Sequence, residues 1–255
     1  LLPEILRSDD EVSVGTGVSY LASLVDHRTA AVLEYLAPYL DQSEAWDDRI
    51  GYMLSQIEDW TDERALDILL DLCRRGQGGR RLRYTFRNLL ASRPDWASRA
   101  VRAHLDHILD SLLVDDEATG TRHYYGPRDV FEEHEVTEVV RSLALAAPLS
   151  VIEHLLPWFV AATQALATPS RSAEYYPSES VFAYHWRDEH TSGGAQIAGA
   201  MVITLRDLTQ NDIRRFSALA REVKEEETSS VIGQKTEWAV CAGSSTPTCR
   251  TNPSA

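Results

Sequence analysis

The chain has 255 residues, 44% apolar and 25% charged, ordinary values for a folded protein that argue against wholesale disorder. Its net charge is −14 and its pI about 5.0, which argues against general binding to nucleic acid or anionic membranes. Only Lys224 and Lys235 among the 25 basic residues are lysines, a bias that hints at a GC-rich coding genome.

Residues 1–10 read as the end of a helix. Val14 to Val25 carries an apolar stripe through Val18, Leu21 and Leu24, and Asp26 is placed to cap a partner helix that runs to about Leu40. A second pair opens after Ser43, with Ile50, Met53, Leu54 and Ile57 on one face. Thr61 is the expected cap of its second helix, Asp62 and Glu63 suit the positive end of the dipole, and Arg74, Arg75 and Gly76 close it. Ala65, Leu66, Ile68, Leu69, Leu72 and Cys73 repeat, at one fixed offset, the earlier set Val32, Leu33, Tyr35, Leu36, Tyr39 and Leu40. Val101, Leu105, Ile108, Leu109 and Leu112 read as a looser third copy.

Gly76 to Gly79 form a turn into Leu82, Phe86, Leu89 and Leu90, and Pro94 suits the first turn of a helix reaching Leu113. Residues 114–129 are expected to form a loop insert. Helix resumes with Val136, Val139, Val140 and Leu143, and its partner starts at Pro148. A second insert spans 168–192. Two helices follow, one through Ile197, Met201, Leu205 and Leu208, the other capped by Asn211 and carrying Ile213, Phe216, Leu219 and Val223. Beyond Glu227 the periodicity fades, so 228–255 read as an irregular tail. No alternation lasts long enough to predict a sheet. The expected fold is all-α, an α-solenoid of HEAT-like antiparallel helix pairs over residues 1–227. The tetratricopeptide and ankyrin patterns are absent.

Leu1 is not preceded by a charged leader or a methionine, so no signal peptide is expected and the chain reads as a piece of something larger. The most apolar stretch, Leu143 to Ala167, is broken by Pro148, Glu153, His154 and Pro157, which favours a buried helix over a membrane span. Cys73 falls at a repeated apolar position; Cys241 and Cys249 lack metal spacing. A reducing, cytoplasmic setting fits.

Catalytic signals are weak. His104 and His107 have the i, i+3 spacing of metal ligands, but a pair of histidines at the core edge is the simpler reading. Glu132, Glu133, His134 and Glu135 mark a helix start. His185 to His190 is rich in ligand types, yet a loop packed by its aromatics explains it as well. Gly15-Thr16-Gly17 lacks the Lys-Ser/Thr of a phosphate loop, and no nucleophile motif is present. No cofactor or metal is expected.

Between Arg74 and Arg102 lie Arg75, Arg80, Arg81, Arg83, Arg87, Arg93 and Arg99, with one acid, Asp95. Arg80, Arg83 and Arg87 fall in a narrow arc, a stripe able to grip phosphate or an acidic protein surface. The alternative is that the arginines complement acidic neighbouring pairs, through Asp59, Asp62, Glu63 and Asp67 before them and Asp106, Asp110, Asp115 and Asp116 after. Tyr124, Tyr125, Tyr175, Tyr176 and Trp186 in the inserts are candidate partner anchors.

The text Trp186-Arg187-Asp188-Glu189-His190, a helix from Ile197 ending Leu205-x-x-Leu208, then Asn211-Asp212-Ile213 and Phe216 to Val223 resembles the C-terminal helical-repeat regions of large bacterial STAND-type ATPases. The resemblance covers about residues 10–227 and rests on helix-pair rhythm. It implies a sensor or scaffold segment that recognises a protein partner, as the repeats of antiviral members sense a foreign protein. The ATPase module that defines such proteins, with its phosphate loop and acidic magnesium motif, does not occur in these 255 residues. A nucleic-acid-binding repeat using the arginine stripe is the alternative.

Overall fold

In α2 (Glu11–Val25) the residues Val14, Val18, Leu21, Ala22 and Val25 face inward at helical spacing, so one stripe of the helix is dry. Asp10 caps it, accepting the backbone N–H of Ser13 at 3.0 Å. The same stripe recurs, position for position, in α4 (Glu44–Leu54) and the turn after it, as Trp46, Ile50, Met53, Leu54 and Ile57. After one more step of equal length its last four places recur in α6 (Leu82–Ser92), as Leu82, Thr85, Phe86 and Leu89. The computed structural model describes residues 2–40, 42–77, 81–116, 121–124, 134–166, 193–218 and 221. Residues 1–208 form one compact unit.

The described residues are mostly helical. Each first helix is followed by a second: α3 (Thr29–Leu36), α5 (Glu63–Arg74) and α7 (Pro94–Leu112). First helices pack on first helices, α2 on α4, α4 on α6 and α6 on α8 (His134–Ala146). Second helices pack on second helices, α3 on α5, α5 on α7 and α7 on α9 (Pro148–His154). The short α1 (Leu2–Leu6) lies on α2, where Gly17 admits it: a Cβ there would stand 2.9 Å from Leu6.

Between the third and fourth pairs the step lengthens without losing register. Phe86 matches Val140 and Val101 matches Leu155, so first and second helices are displaced by one and the same longer offset. The added residues include an antiparallel hairpin, β1 (Leu113–Asp116) with β2 (Thr121–Tyr124), Leu113 opposite Tyr124. The expected loop over 114–129 is thereby corrected in its described part. Two such short strands leave no room for alternation to show.

Other expectations change as well. The helix from Pro148 breaks at Leu155 and resumes as α10 (Leu156–Leu166), bent by 47°, because Pro157 lacks an N–H for the Glu153 carbonyl and its ring crowds that turn. The two pieces still act as one second helix, burying Val151, Ile152, Leu155, Trp158, Phe159 and Ala162. The third copy of the second-helix stripe lies earlier than expected: Ala97, Ser98, Val101, His104 and Leu105 are buried, whereas Ile108, Leu109 and Leu112 are half-buried. Asp62, not Thr61, caps α5, accepting the Arg64 N–H at 3.0 Å. The helix after Asp26 stops at Leu36 and tightens into a 3-10 turn, Ala37–Tyr39.

Asp26 does not cap its own partner helix. Its Oδ1 accepts the backbone N–H groups of Glu58 (2.8 Å) and Asp59 (3.3 Å) in the next pair's connection. From the other side Asn88 of α6 donates to the carbonyls of Ser55 (3.1 Å) and Ile57 (3.0 Å). One loop is thus held by side chains of both neighbouring pairs.

α11 (Gly193–Asn211) buries Ile197, Ala198, Ala200, Met201, Thr204 and Leu208. Residues 209–255 are a separate unit. In it a short helix over 213–218 is capped by Asp212, which accepts the Arg215 N–H at 3.1 Å, rather than by Asn211. Leu219, Val223 and the tail 228–255 lie outside the described residues. No single described helix is long and apolar enough to cross a membrane.

Candidate functional site

The arginine-rich span is distributed over α5, α6 and α7, and its guanidiniums serve different partners. Arg75 forms a two-point pair with Asp47 (2.6 and 3.1 Å) and also bonds Asp71 at 2.9 Å, joining α4 to α5. Asp47 is only 3% exposed, so this pair holds a carboxylate that has left water. Arg87 reaches Glu138 of α8 at 2.8 Å. Arg93 pairs with Asp95 at 3.4 Å and lies over Trp96. Arg102 pairs with Asp106 and donates to the His154 carbonyl at 3.1 Å, meeting the C-terminal end of α9. Complementation of acids within and between pairs therefore describes much of the span, though most of the acids differ from those expected: Asp47, Asp71 and Glu138 beside Asp106.

Of the arc Arg80, Arg83 and Arg87, Arg80 lies outside the described residues. Arg83 donates to the Tyr84 hydroxyl at 2.7 Å and sits over its ring, whereas Arg87 turns to Glu138. The two are not focused on one point. Tyr124 lies in β2 opposite Leu113; Tyr125, Tyr175, Tyr176 and Trp186 lie outside the described residues. The same holds for Glu132, Glu133 and the segment 185–190.

His107 packs directly over Gly76, and His104 is buried with its ring 6.0 Å from that of Phe86. Gly76 (φ +69) ends α5: its N–H bonds the Cys73 carbonyl and that of Gln77 the Leu72 carbonyl, so the left-handed residue closes the helix under the histidine. Among the described residues no three of His, Cys, Asp and Glu group to hold a metal ion. Cys73 is buried, and burial pushes its thiol far above the ordinary range, which suits a core side chain rather than a nucleophile. Gly15-Thr16-Gly17 is mid-helix in α2.

One surface feature was not anticipated from the sequence. Tyr20, Tyr52 and Tyr84 stand at the same position of α2, α4 and α6, one repeat step apart, Tyr20 being 57% and Tyr84 47% exposed. Arg81 lies 4.4 Å over the Tyr52 ring. The signal is present in the spacing. It lies among outward positions of the first helices, whereas the repeat stands out most at apolar positions of the second helices.

No family model, no curated protein and no solved structure matches this chain.

Proposed function

We propose that the chain is a non-catalytic, protein-recognising scaffold built as an α-solenoid of HEAT-like helix pairs, within a larger cytoplasmic bacterial protein. The observation that supports it is the succession of neighbours, first helix on first and second on second through four pairs, with a nearly constant step lengthened by one insert that keeps register. Such an array buries each pair's apolar flank only against the next and leaves a long surface free. The resemblance to STAND-type sensor repeats extends the reading to detection of a foreign protein, with antiviral defence as the setting.

The nucleic-acid alternative loses its support where the stripe meets its partners. Arg75, Arg87, Arg93 and Arg102 are engaged with carboxylates, and the chain as a whole repels polyanions.

A display library of folded bacterial and viral protein domains, panned against the full chain, tests the reading. Saturable capture of one domain with Kd near about 1 μM or tighter is expected. Failure to enrich any domain, together with salt-sensitive retention on heparin, overturns it.

A further inference from the structure

We infer that the outer face of α2, α4 and α6 is a docking track for an extended polypeptide segment, apolar over α2 and α4 and acidic where it passes α6. The inference rests on the recognition reading above and specifies its surface and partner.

Buried positions repeat because the core demands it. Exposed positions carry no such demand, since surface substitutions usually shift stability little. Exposed Tyr20 and Tyr84, with half-buried Tyr52 between them, nevertheless recur at one outward position of three successive packed helices. Tyrosine there offers a rigid ring and a hydroxyl at low entropic cost, the combination that anchors interfaces. The neighbours repeat too: Ser23 and Ser55, almost one turn on, donate back to the carbonyls of Tyr20 and Tyr52, both at 2.7 Å. These small hydroxyls do not rise beside the rings.

At α6 the character changes. The place that Ser23 and Ser55 hold after their tyrosines is taken after Tyr84 by Arg87, and the preceding residues include Arg83 and the exposed Arg81. Arg49, which occupies Arg81's place in α4, is engaged with Glu11 at 2.5 Å, whereas Arg81 has no ion-pair partner among the described residues. Asp48, exposed one turn before Tyr52, disfavours acids over α4 and fixes the polarity. The next place in the row, offset from Tyr84 as Val140 is from Phe86, is Glu138. Its carboxylate already bonds Arg87, so the chain itself carries an acid docked on a guanidinium of α6.

Neighbouring helices lie about 8–10 Å apart and an extended chain advances about 3.3 Å per residue, so roughly six or seven residues span the three tyrosines and a nonapeptide covers them with a residue over at each end. A nucleic acid would place a phosphate at every step, yet Arg49 and Arg87 along the row are already paired with carboxylates and the chain carries −14.

The experiment pans phage-displayed random nonapeptides on the full chain and measures the enriched sequences as labelled synthetic peptides by fluorescence polarisation. Expected are peptides with two or more acids at one end and apolar or aromatic residues elsewhere. Binding weakens about tenfold in Tyr20→Ser/Tyr84→Ser and in Arg81→Glu, and less in Arg81→Gln, with the melting temperature unchanged. Enrichment without acids, no enrichment at all, affinity indifferent to these substitutions, or displacement of the peptides by a dT12 oligonucleotide overturns the track. Capture of a folded domain by the tyrosine and Arg81 variants with undiminished affinity sinks the track alone and leaves the recognition reading standing.

Discussion

Asp26 accepts the backbone N–H of Glu58 at 2.8 Å across 32 residues of sequence, tying the first pair to the connection of the second. A carboxylate gripping two amides is among the stronger kinds of neutral-donor bond. Asp26→Ala leaves both N–H groups to water and is expected to lower stability by about 1–2 kcal/mol, read by urea unfolding. Asp26→Asn, which keeps one acceptor oxygen, loses less. Equal losses in the two variants would remove the bond from the account.

Gly76 is the position least able to accept a side chain. Its φ of +69° strains any L-residue, and a Cβ would run into the His107 ring. Gly76→Ala is expected to cost roughly 2–4 kcal/mol, combining left-handed strain with overpacking. Adding His107→Ala removes the collision and not the strain. The double variant should therefore recover part of the loss, a coupling measured by a double-mutant cycle.

The Asp47–Arg75 pair predicts an asymmetry. Arg75→Met strands a buried carboxylate and should cost about 3 kcal/mol or more in chemical denaturation. Asp47→Leu with Arg75→Met removes both charges and should fall short of that cost. A double variant as damaged as the single one would show that packing, not charge, dominates there.

His154 supplies a pH signature. Burial holds its imidazole below the usual histidine range, with nearby Arg99 and Arg102 adding to that and Glu153 and Asp95 opposing. The folded state thus prefers the neutral ring. This contribution is complete above the unfolded value of about 6.5 and is lost as pH falls from there through the lower folded value. Thermal melts between pH 7 and pH 5 should show a decline that His154→Gln reduces. Asp62, held low by its bond to Arg64, contributes fully above the ordinary carboxylate range and loses that contribution only as pH falls below it.

The rhythm of the chain was legible because Val14, Ile50, Phe86 and their kin repeat a local apolar pattern, and Ser43 and Pro94 mark helix starts in the expected way. What escaped depends on contacts far along the chain. Asp26 stands where a helix cap would stand, and nothing local reveals that its oxygens reach residue 58. Ser98 and His104 fill repeat positions with polar atoms, so the third stripe reads a turn late. The arginine arc dissolved for the same reason: Arg87 and Glu138 are 51 residues apart, and only folding shows them as partners. Tyr20, Tyr52 and Tyr84 are readable from spacing alone, once first helices are compared with first helices.

The hairpin between the third and fourth pairs lengthens one connection while the stripes on either side keep step. The hairpin is no passive splice, however: β1 packs on α7 and β2 on α10, so what is inserted at that junction touches the second helices of both adjoining pairs. A module traded into the join has to offer the same footing if the helices are to stack as they do.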